Sequence, residues 1–343
     1  MKYSFRNDYN QVGHKRIIET LLNNANFINV GYGEDTVTKE VEDLVKAKVE
    51  GDASIYLMVG GTNANKTVIS KILRPYEAVI SCESGHINVH ETGAVEQTGH
   101  KILTVNKANG KLSKDDIDEV MRIHNEVHRV LPRLVYISDS TEIGTVYTKQ
   151  ELVELYSACK KHGLYLFLDG ARLPIALTAK SNDLTLKDIY DYTDVFYLSG
   201  TKNGMPLGEM IVIKDQTINE NFKYHIKNQG AMVSKSFTLA YMFKEYLKDD
   251  FYLELASNAN KQAEYLRNEF IKLNVNIKYL NDTNQIFIEL DSNIVEALTK
   301  EYDFEVWESN SNSTVIRLVT CFSTTLDGCN LFINDLKELI EGN

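Results

Sequence analysis

The sequence predicts an α/β protein: a large, mostly parallel sheet with helices on both faces, and a smaller C-terminal α/β domain. Three observations predict it. Between about residues 35 and 215, short continuous apolar segments alternate with helical patterns, as in a parallel sheet buried on both faces. The last third changes to a strand, helix, strand, strand, helix order. Polar, glycine-rich loops follow the apolar segments, where open parallel sheets bind ligands beyond the carboxyl ends of their strands. The expected division is residues 1–245 for the large domain and 246–343 for the small one, the N-terminal segment packing on either.

The elements follow in order. Val37, Val41, Leu44 and Val45 recur at helical spacing, and Gly51 ends that helix. SIYLMV (54–59) reads as a strand, and GGTNANKTVISKIL turns from loop into helix. EAVISCE (77–83) and KILTVN (101–106) are further strands, Ser113 caps a helix through 115–128, and RLVYISD (133–139) is again a strand. Thr148 and Glu151 form a capping box that opens a helix carrying Leu152, Leu155, Tyr156 and Cys159, which Gly163 ends. LYLFLD (164–169), a helix near 185–192, VFYLS (195–199) and MIVI (210–213) complete the large sheet. One long helical stretch spans about 235–273, followed by QIFIEL (285–290), a helix at 292–301, FEVWES (304–309), TVIRLV (314–319) and a final helix at 326–341.

With 343 residues, 43 % hydrophobic and 25 % charged, the chain has the composition of an ordinary globular protein. A net charge of −11, without any Lys/Arg run, argues against nucleic acid as a partner. No run approaches membrane-spanning length and MKYSFRNDYN has no apolar signal core, so no membrane partner is expected and the expected location is the cytoplasm. Cys82, Cys159, Cys321 and Cys329 show neither CxxC pairing nor regular spacing, which suits free thiols. Without paired Cys/His spacing, no metal site is expected.

Chemistry concentrates in the strand-end loops. LYLFLD runs straight into Asp169 and Arg172, charges that are costly to desolvate unless something there needs them. Gly60-Gly61-Thr62-Asn63 opens a helix, where free amides and the helix dipole favour an anion; the plain alternative is a tight turn capped by Thr62. A dinucleotide loop is the rival reading, with Glu83 as the ribose acid, but the G-x-G-x-x-G spacing is missing. Lys202 stands between glycines after VFYLS, either a loop lysine in solvent or an amine placed for a Schiff base with a carbonyl. Pyridoxal phosphate needs a lysine for its aldehyde, an acid for its pyridinium nitrogen and an anion cradle for its phosphate, and it benefits from a flat side chain against its ring. Lys202, Asp169, the GGTN loop and His86 supply one each.

FRND near the start, YGED (32–35), GGTNAN (60–65), SGHINVHETGA (84–94), LDGAR (168–172) and SGTKNG (199–204) resemble, in that order and through IRLVT (316–320), the pyridoxal-phosphate threonine aldolases. The broader grouping also contains β-eliminating lyases that act on amino acids. The resemblance implies the aspartate-aminotransferase fold (fold type I), with the larger domain holding the cofactor. It also implies a homodimer or homotetramer whose active sites lie at subunit interfaces.

By the same resemblance Lys202 is the Schiff-base lysine and Asp169 the partner of the pyridine nitrogen. Gly61 and Thr62 bind the phosphate, and His86 stacks on the ring. Arg172 and Arg317 hold the substrate carboxylate, the first beside the cofactor. Asn7 stands where the family more often has the serine of FRSD. Tyr32 and Asp35 match positions that contribute across a subunit interface, and Lys227 lies near the pocket. One departure is Glu142, in DSTEIG (139–144), where many members carry the histidine of ENTHN. It is either the acceptor of the substrate's β-hydroxyl proton or a structural hydrogen-bonder.

The implied reaction is retro-aldol cleavage of threonine or allo-threonine at Cα–Cβ, giving glycine and an aldehyde. The base is Glu142 or a water held by His86. Alternatives are another pyridoxal-phosphate amino-acid lyase acting by β-elimination, an aminotransferase, or a non-catalytic ligand-binding homologue.

Overall fold

The computed structural model describes residues 2–342. Its centre is a seven-stranded sheet in the spatial order Ser54–Met58, Glu209–Ile213, Val195–Ser199, Tyr165–Asp169, Leu131–Ser138, Glu77–Cys82 and Lys101–Val105. Glu209–Ile213 runs antiparallel to both of its neighbours, and every other pairing in the sheet is parallel. The expected largely parallel sheet is therefore present. The one reversed strand brings its first residue, Glu209, to the carboxyl end of the rest.

Both faces of the sheet are covered, which is why its strands read as unbroken apolar runs. Phe196 and Leu198 face one core with Val41, Leu155 and Phe243. Val195 and Tyr197, one residue out of step, face the other with Val68, Phe167 and Ile211. The helix Gly61–Ile72 lies on this second face through Ala64, Val68 and Ile69.

Two helices differ from the sequence expectation. That expected through 115–128 is Lys114–Ile123, opened by Asp116, which accepts from Ser113 N and Oγ at 2.8 and 2.6 Å. Beyond Ile123 the next apolar side chain, Val127, is 95 % exposed, so no buried contact holds another turn. The stretch expected over 235–273 is two helices, Phe237–Leu247 and Phe251–Lys272. Asp249 and Asp250 break it with φ of 53° and 56°, a left-handed backbone that aspartate tolerates better than most residues. Tyr246, Leu247, Phe251 and Tyr252 are buried on either side, so the chain turns without losing apolar contacts.

A separate antiparallel sheet has the order Glu305–Ser309, Ser313–Val319, Gln285–Asp291, Asn276–Ile277. It packs on the Phe251–Lys272 and Leu326–Glu341 helices around its own core, which includes Leu266, Phe270, Ile288, Leu318 and Phe332. The N-terminal segment joins the two cores. Tyr3 pairs with Tyr302, and Phe5 is fully buried in the smaller core. The helix Lys15–Asn23 then puts Ile17 into the larger one. Asn7 and Asp8 lie on the crossing.

Candidate active site

Asp169 ends its strand 2 % exposed and accepts four hydrogen bonds. Its Oδ2 takes Tyr136 Oη at 2.5 Å and Asn65 Nδ2 at 2.9 Å, and its Oδ1 takes Ala171 N at 2.9 Å and the Tyr197 hydroxyl. Burial alone would raise this carboxyl, but the imidazole of His86 and the hydrogen bonds prevail and hold it below its ordinary range. The result is a fixed anion deep in the fold.

Lys202 follows the next strand in a loop that folds on Gly200, whose O accepts from Asn203 N and Met205 N at 3.0 Å each. A Cβ on Gly200 would lie 2.1 Å from Met205 Sδ, so the loop needs glycine there. Lys202 is half-buried and makes no hydrogen bond or ion pair among the described residues; the Tyr9 ring centroid is 6.0 Å from its Nζ. Burial and then the Arg172 guanidinium pull its amine below the ordinary lysine range, against the carboxyls of Asp8, Asp169 and Glu209. A lysine poised toward its neutral, nucleophilic form is what carbonyl chemistry requires.

The helix Gly61–Ile72 starts with no side-chain cap, so the amides of Gly61, Thr62 and Asn63 are left to a ligand or water. Asn65, in its first turns, links it to the site. Its Nδ2 donates to Asp169 Oδ2 at 2.9 Å and to Glu91 Oε1 at 2.8 Å, and that same Glu91 oxygen meets His86 Nδ1 at 2.9 Å. His86 is thus oriented through Glu91 and Asn65 relative to Asp169. The His86 backbone N and Ser138 Oγ both donate to Glu142 Oε1, at 2.9 and 2.8 Å. Burial raises the Glu142 carboxyl above its ordinary range, with the charge of Asp169 adding to it and the Ser138 hydrogen bond opposing.

Two guanidiniums close the site. Arg172 Nε and Nη2 donate to both oxygens of Asp8 at 2.7 and 3.0 Å, and Asn284 Nδ2 donates to Asp8 Oδ2 at 2.9 Å. Arg317 Nη1 donates to Gln285 Oε1 at 3.1 Å, its Nη2 pairs with Glu305, and its buried Nε has no partner. Burial and then repulsion from Arg172 lower the Arg317 pKa, so the two cations together favour an added anion.

Asn7, His86, Glu142, Arg172, Lys202 and Arg317, drawn from six segments, line one cleft of about 330 Å³. Gly61 and Thr62 are not in its wall; they stand at the helix start that Asn65 joins to it. Tyr32, matched by resemblance to a position that contributes across a subunit interface, does not line the cleft of its own chain. It is 47 % exposed, with φ of 61° and Lys227 Nζ 4.9 Å from its ring, and lines another groove. Its backbone N is held by Ser234 O at 3.0 Å, on a part of the surface distinct from the cleft. Asp35 is buried as the cap of the helix Thr36–Val49, accepting from Thr38 N at 2.7 Å.

Sequence reasoning missed Asp8, Asn65, Glu91, Tyr136 and Tyr197, and also His90 and Glu305, which line the cleft. Asp8, Asn65, Glu91 and His90 lay inside motifs already singled out, next to residues that were chosen. The two tyrosines read as strand filler, because nothing local says that their hydroxyls meet one carboxylate.

These residues fit pyridoxal phosphate. The unpartnered Lys202 amine suits the aldehyde, the ionised Asp169 suits the pyridinium nitrogen, and the uncapped helix start suits the phosphate. At Gly60 an added Cβ would meet nothing within 4 Å, so that entry to the helix is open.

The fold and site define a class. Residues 5–293 match the family model of the beta-eliminating lyases, and the chain belongs to that family. A low specificity L-threonine aldolase from Pseudomonas aeruginosa is 32 % identical over 273 residues, 78 % of each chain. The structure of a threonine aldolase from Leishmania major matches with a TM-score of 0.97 at 38 % identity, covering 98 % of this chain and 99 % of that one. An aspartate aminotransferase from Thermus thermophilus matches at a TM-score of 0.70 and 12 % identity over 98 % of this chain and 91 % of that one, a likeness of fold. The expected aspartate-aminotransferase architecture is thereby found.

Proposed function

We propose that the protein is a pyridoxal-phosphate-dependent carbon–carbon lyase that cleaves threonine or allo-threonine to glycine and acetaldehyde. The observation that carries this reading is one cleft in which an unpartnered Lys202 amine faces two arginines. The similarity to threonine aldolases from Pseudomonas aeruginosa and Leishmania major supports it.

Lys202 would hold the cofactor through its aldehyde, Asp169 through its ring nitrogen, the amides of Gly61 and Thr62 through its phosphate, and His86 against its ring. Bound there, pyridoxal phosphate supplies an electron sink for the bond broken at the substrate's α-carbon. Arg172 and Arg317 bind the substrate carboxylate, and Asn7 offers a further hydrogen bond. That grip orients the Cα–Cβ bond. Glu142 takes the β-hydroxyl proton on the carboxylate that Ser138 and the His86 amide hold in place. The His86 imidazole and the hydrogen bonds to Asp169 favour its ionised form beside the ring nitrogen.

We read the protein further as a cytoplasmic homodimer or homotetramer with interfacial active sites. The exposure of Phe27, Ile28, Val30 and Tyr32 on one N-terminal segment supports the assembly. Borohydride reduction of the holoenzyme is the test of the site. The cofactor should become attached to Lys202, and attachment to another lysine, or to none, refutes the assignment. Product analysis tests the reaction. Glycine and acetaldehyde from threonine support the aldolase, whereas pyruvate and ammonia from serine as the main products favour the β-elimination for which the family is named.

A further inference from the structure

Glu209 is a second buried carboxyl at the carboxyl end of the sheet, and the reaction proposed above does not use it. It opens the antiparallel strand, with Ser199 as its register partner on one side and Met58 on the other. Ile211 and Ile213, in phase with it along the strand, belong to the core that holds Tyr197 and Phe167, so Glu209 shares a face with Tyr197, Ser199 and Asp169. The Lys202 loop is stitched to the start of that strand. Gly200 N and Thr201 N donate to Gly208 O at 2.9 and 3.3 Å, and Gly208 N donates to Thr201 Oγ1 at 2.9 Å. Glu209 is 3 % exposed, and its Oε2 has no hydrogen-bond partner. A carboxylate in that position needs a cation, or it must keep its proton.

Lys202 is the cation whose charge acts on it; the other titratable groups that face it are Asp169 on the neighbouring parallel strand, Tyr197 beside it, and Tyr246 from the helix Phe237–Leu247. We propose that Glu209 is a positioning residue that sets the protonation of Lys202 from behind its loop, holding a proton when Lys202 is neutral and releasing it when Lys202 is charged. The proposal rests on Lys202 being the cofactor lysine. Burial lifts the Glu209 carboxyl to about 7, against the nearby hydroxyls of Ser199 and Thr201 and the charge of Lys202, which supports exchange near neutral pH.

Glu209→Gln removes the titrating group and keeps its shape. In the holoenzyme, loss of the carboxylate leaves positive charge at Lys202 less supported. The pH midpoint of the visible absorption change should therefore fall by about one unit, with the borohydride label still on Lys202. An unmoved midpoint with the label on Lys202 overturns the proposal and leaves the lysine assignment standing. A label elsewhere overturns both.

The cofactor-free chain gives an independent readout. A carboxyl raised in the folded state destabilises as pH climbs from its unfolded value, about 4.3, through its folded one. Thermal stability of the wild type should thus fall relative to Glu209→Gln between about pH 5 and 7. Lys202→Met should extend that fall to higher pH, because the cation that favours ionised Glu209 is gone. Identical profiles with and without Lys202 overturn the coupling. This last comparison needs no substitution at 209, so it holds even where Glu209→Gln fails to fold.

Discussion

Arg172 grips both oxygens of Asp8, through Nε at 2.7 Å and Nη2 at 3.0 Å, with each residue almost wholly buried. Such a pair contributes little over apolar packing, yet removing one member strands the charge of the other. Asp8→Ala should therefore lower unfolding free energy by about 3–5 kcal/mol and raise KM as Arg172 loses its anchor. Denaturant titration measures the first effect, and a variant as stable as its parent contradicts it. Burial opposes ionisation of Asp8, but Arg172 and Lys202 outweigh it and hold the carboxyl low. Its folded value lies below its unfolded one, so the pair's contribution is present above about pH 4 and is lost as pH falls through the folded value. Asp8→Ala should flatten that acid limb.

Glu142 carries the second prediction. Burial raises its carboxyl, so it loses its proton at a higher pH than an ordinary glutamate. As the base it works ionised, and kcat/KM should climb with pH through its titration. Glu142→Gln should cut kcat by about 10²–10⁴-fold and erase that limb from the profile. Parental turnover in this variant would return Glu142 to a purely structural role.

Asn65 tests whether the helix start and the strand end act together. Asn65→Ala removes one donor from Asp169 and one from Glu91, leaving buried acceptors short by about 1–3 kcal/mol. Cofactor affinity should weaken about tenfold, read by fluorescence titration of the cofactor-free chain. Unchanged affinity would mean that the link between Glu91 and Asp169 does not bear on the cofactor.

Gly170 allows the strand end to pass close to its neighbour. An added Cβ would meet Tyr197 O at 1.8 Å, a backbone atom that cannot swing aside. Gly170→Ala should cost about 1–3 kcal/mol and pull the Tyr197 hydroxyl off Asp169. A Tm equal to that of the parent rules out this crowding.

The strands of the large sheet were legible because burial on both faces writes each as an unbroken apolar run, from SIYLMV to MIVI. Their spatial order and the reversal at Glu209–Ile213 were not, since no local pattern names a neighbour. Caps with side-chain signals were readable, as at Thr148 and Glu151. The break at Asp249 and Asp250 was hidden because apolar residues continue on both sides of it. In the site, glycines and charges at strand ends led to Lys202, Asp169 and Arg172, and the resemblance led to Glu142. Their partners escaped because the pairings are distant: Asn65 lies 104 residues from Asp169, and Asp8 lies 164 from Arg172. Tyr32, matched to a position that contributes across a subunit interface, stands within one chain on another surface.

The crossing of the N-terminal segment between the two cores has a consequence for the growing chain. Asp8 leaves the ribosome 164 positions ahead of Arg172 and 276 positions ahead of Asn284. Closing contacts over such spans is slow. The large sheet can be complete while this corner is still open, and the cleft is finished only once the strand that carries Arg317 is also in place.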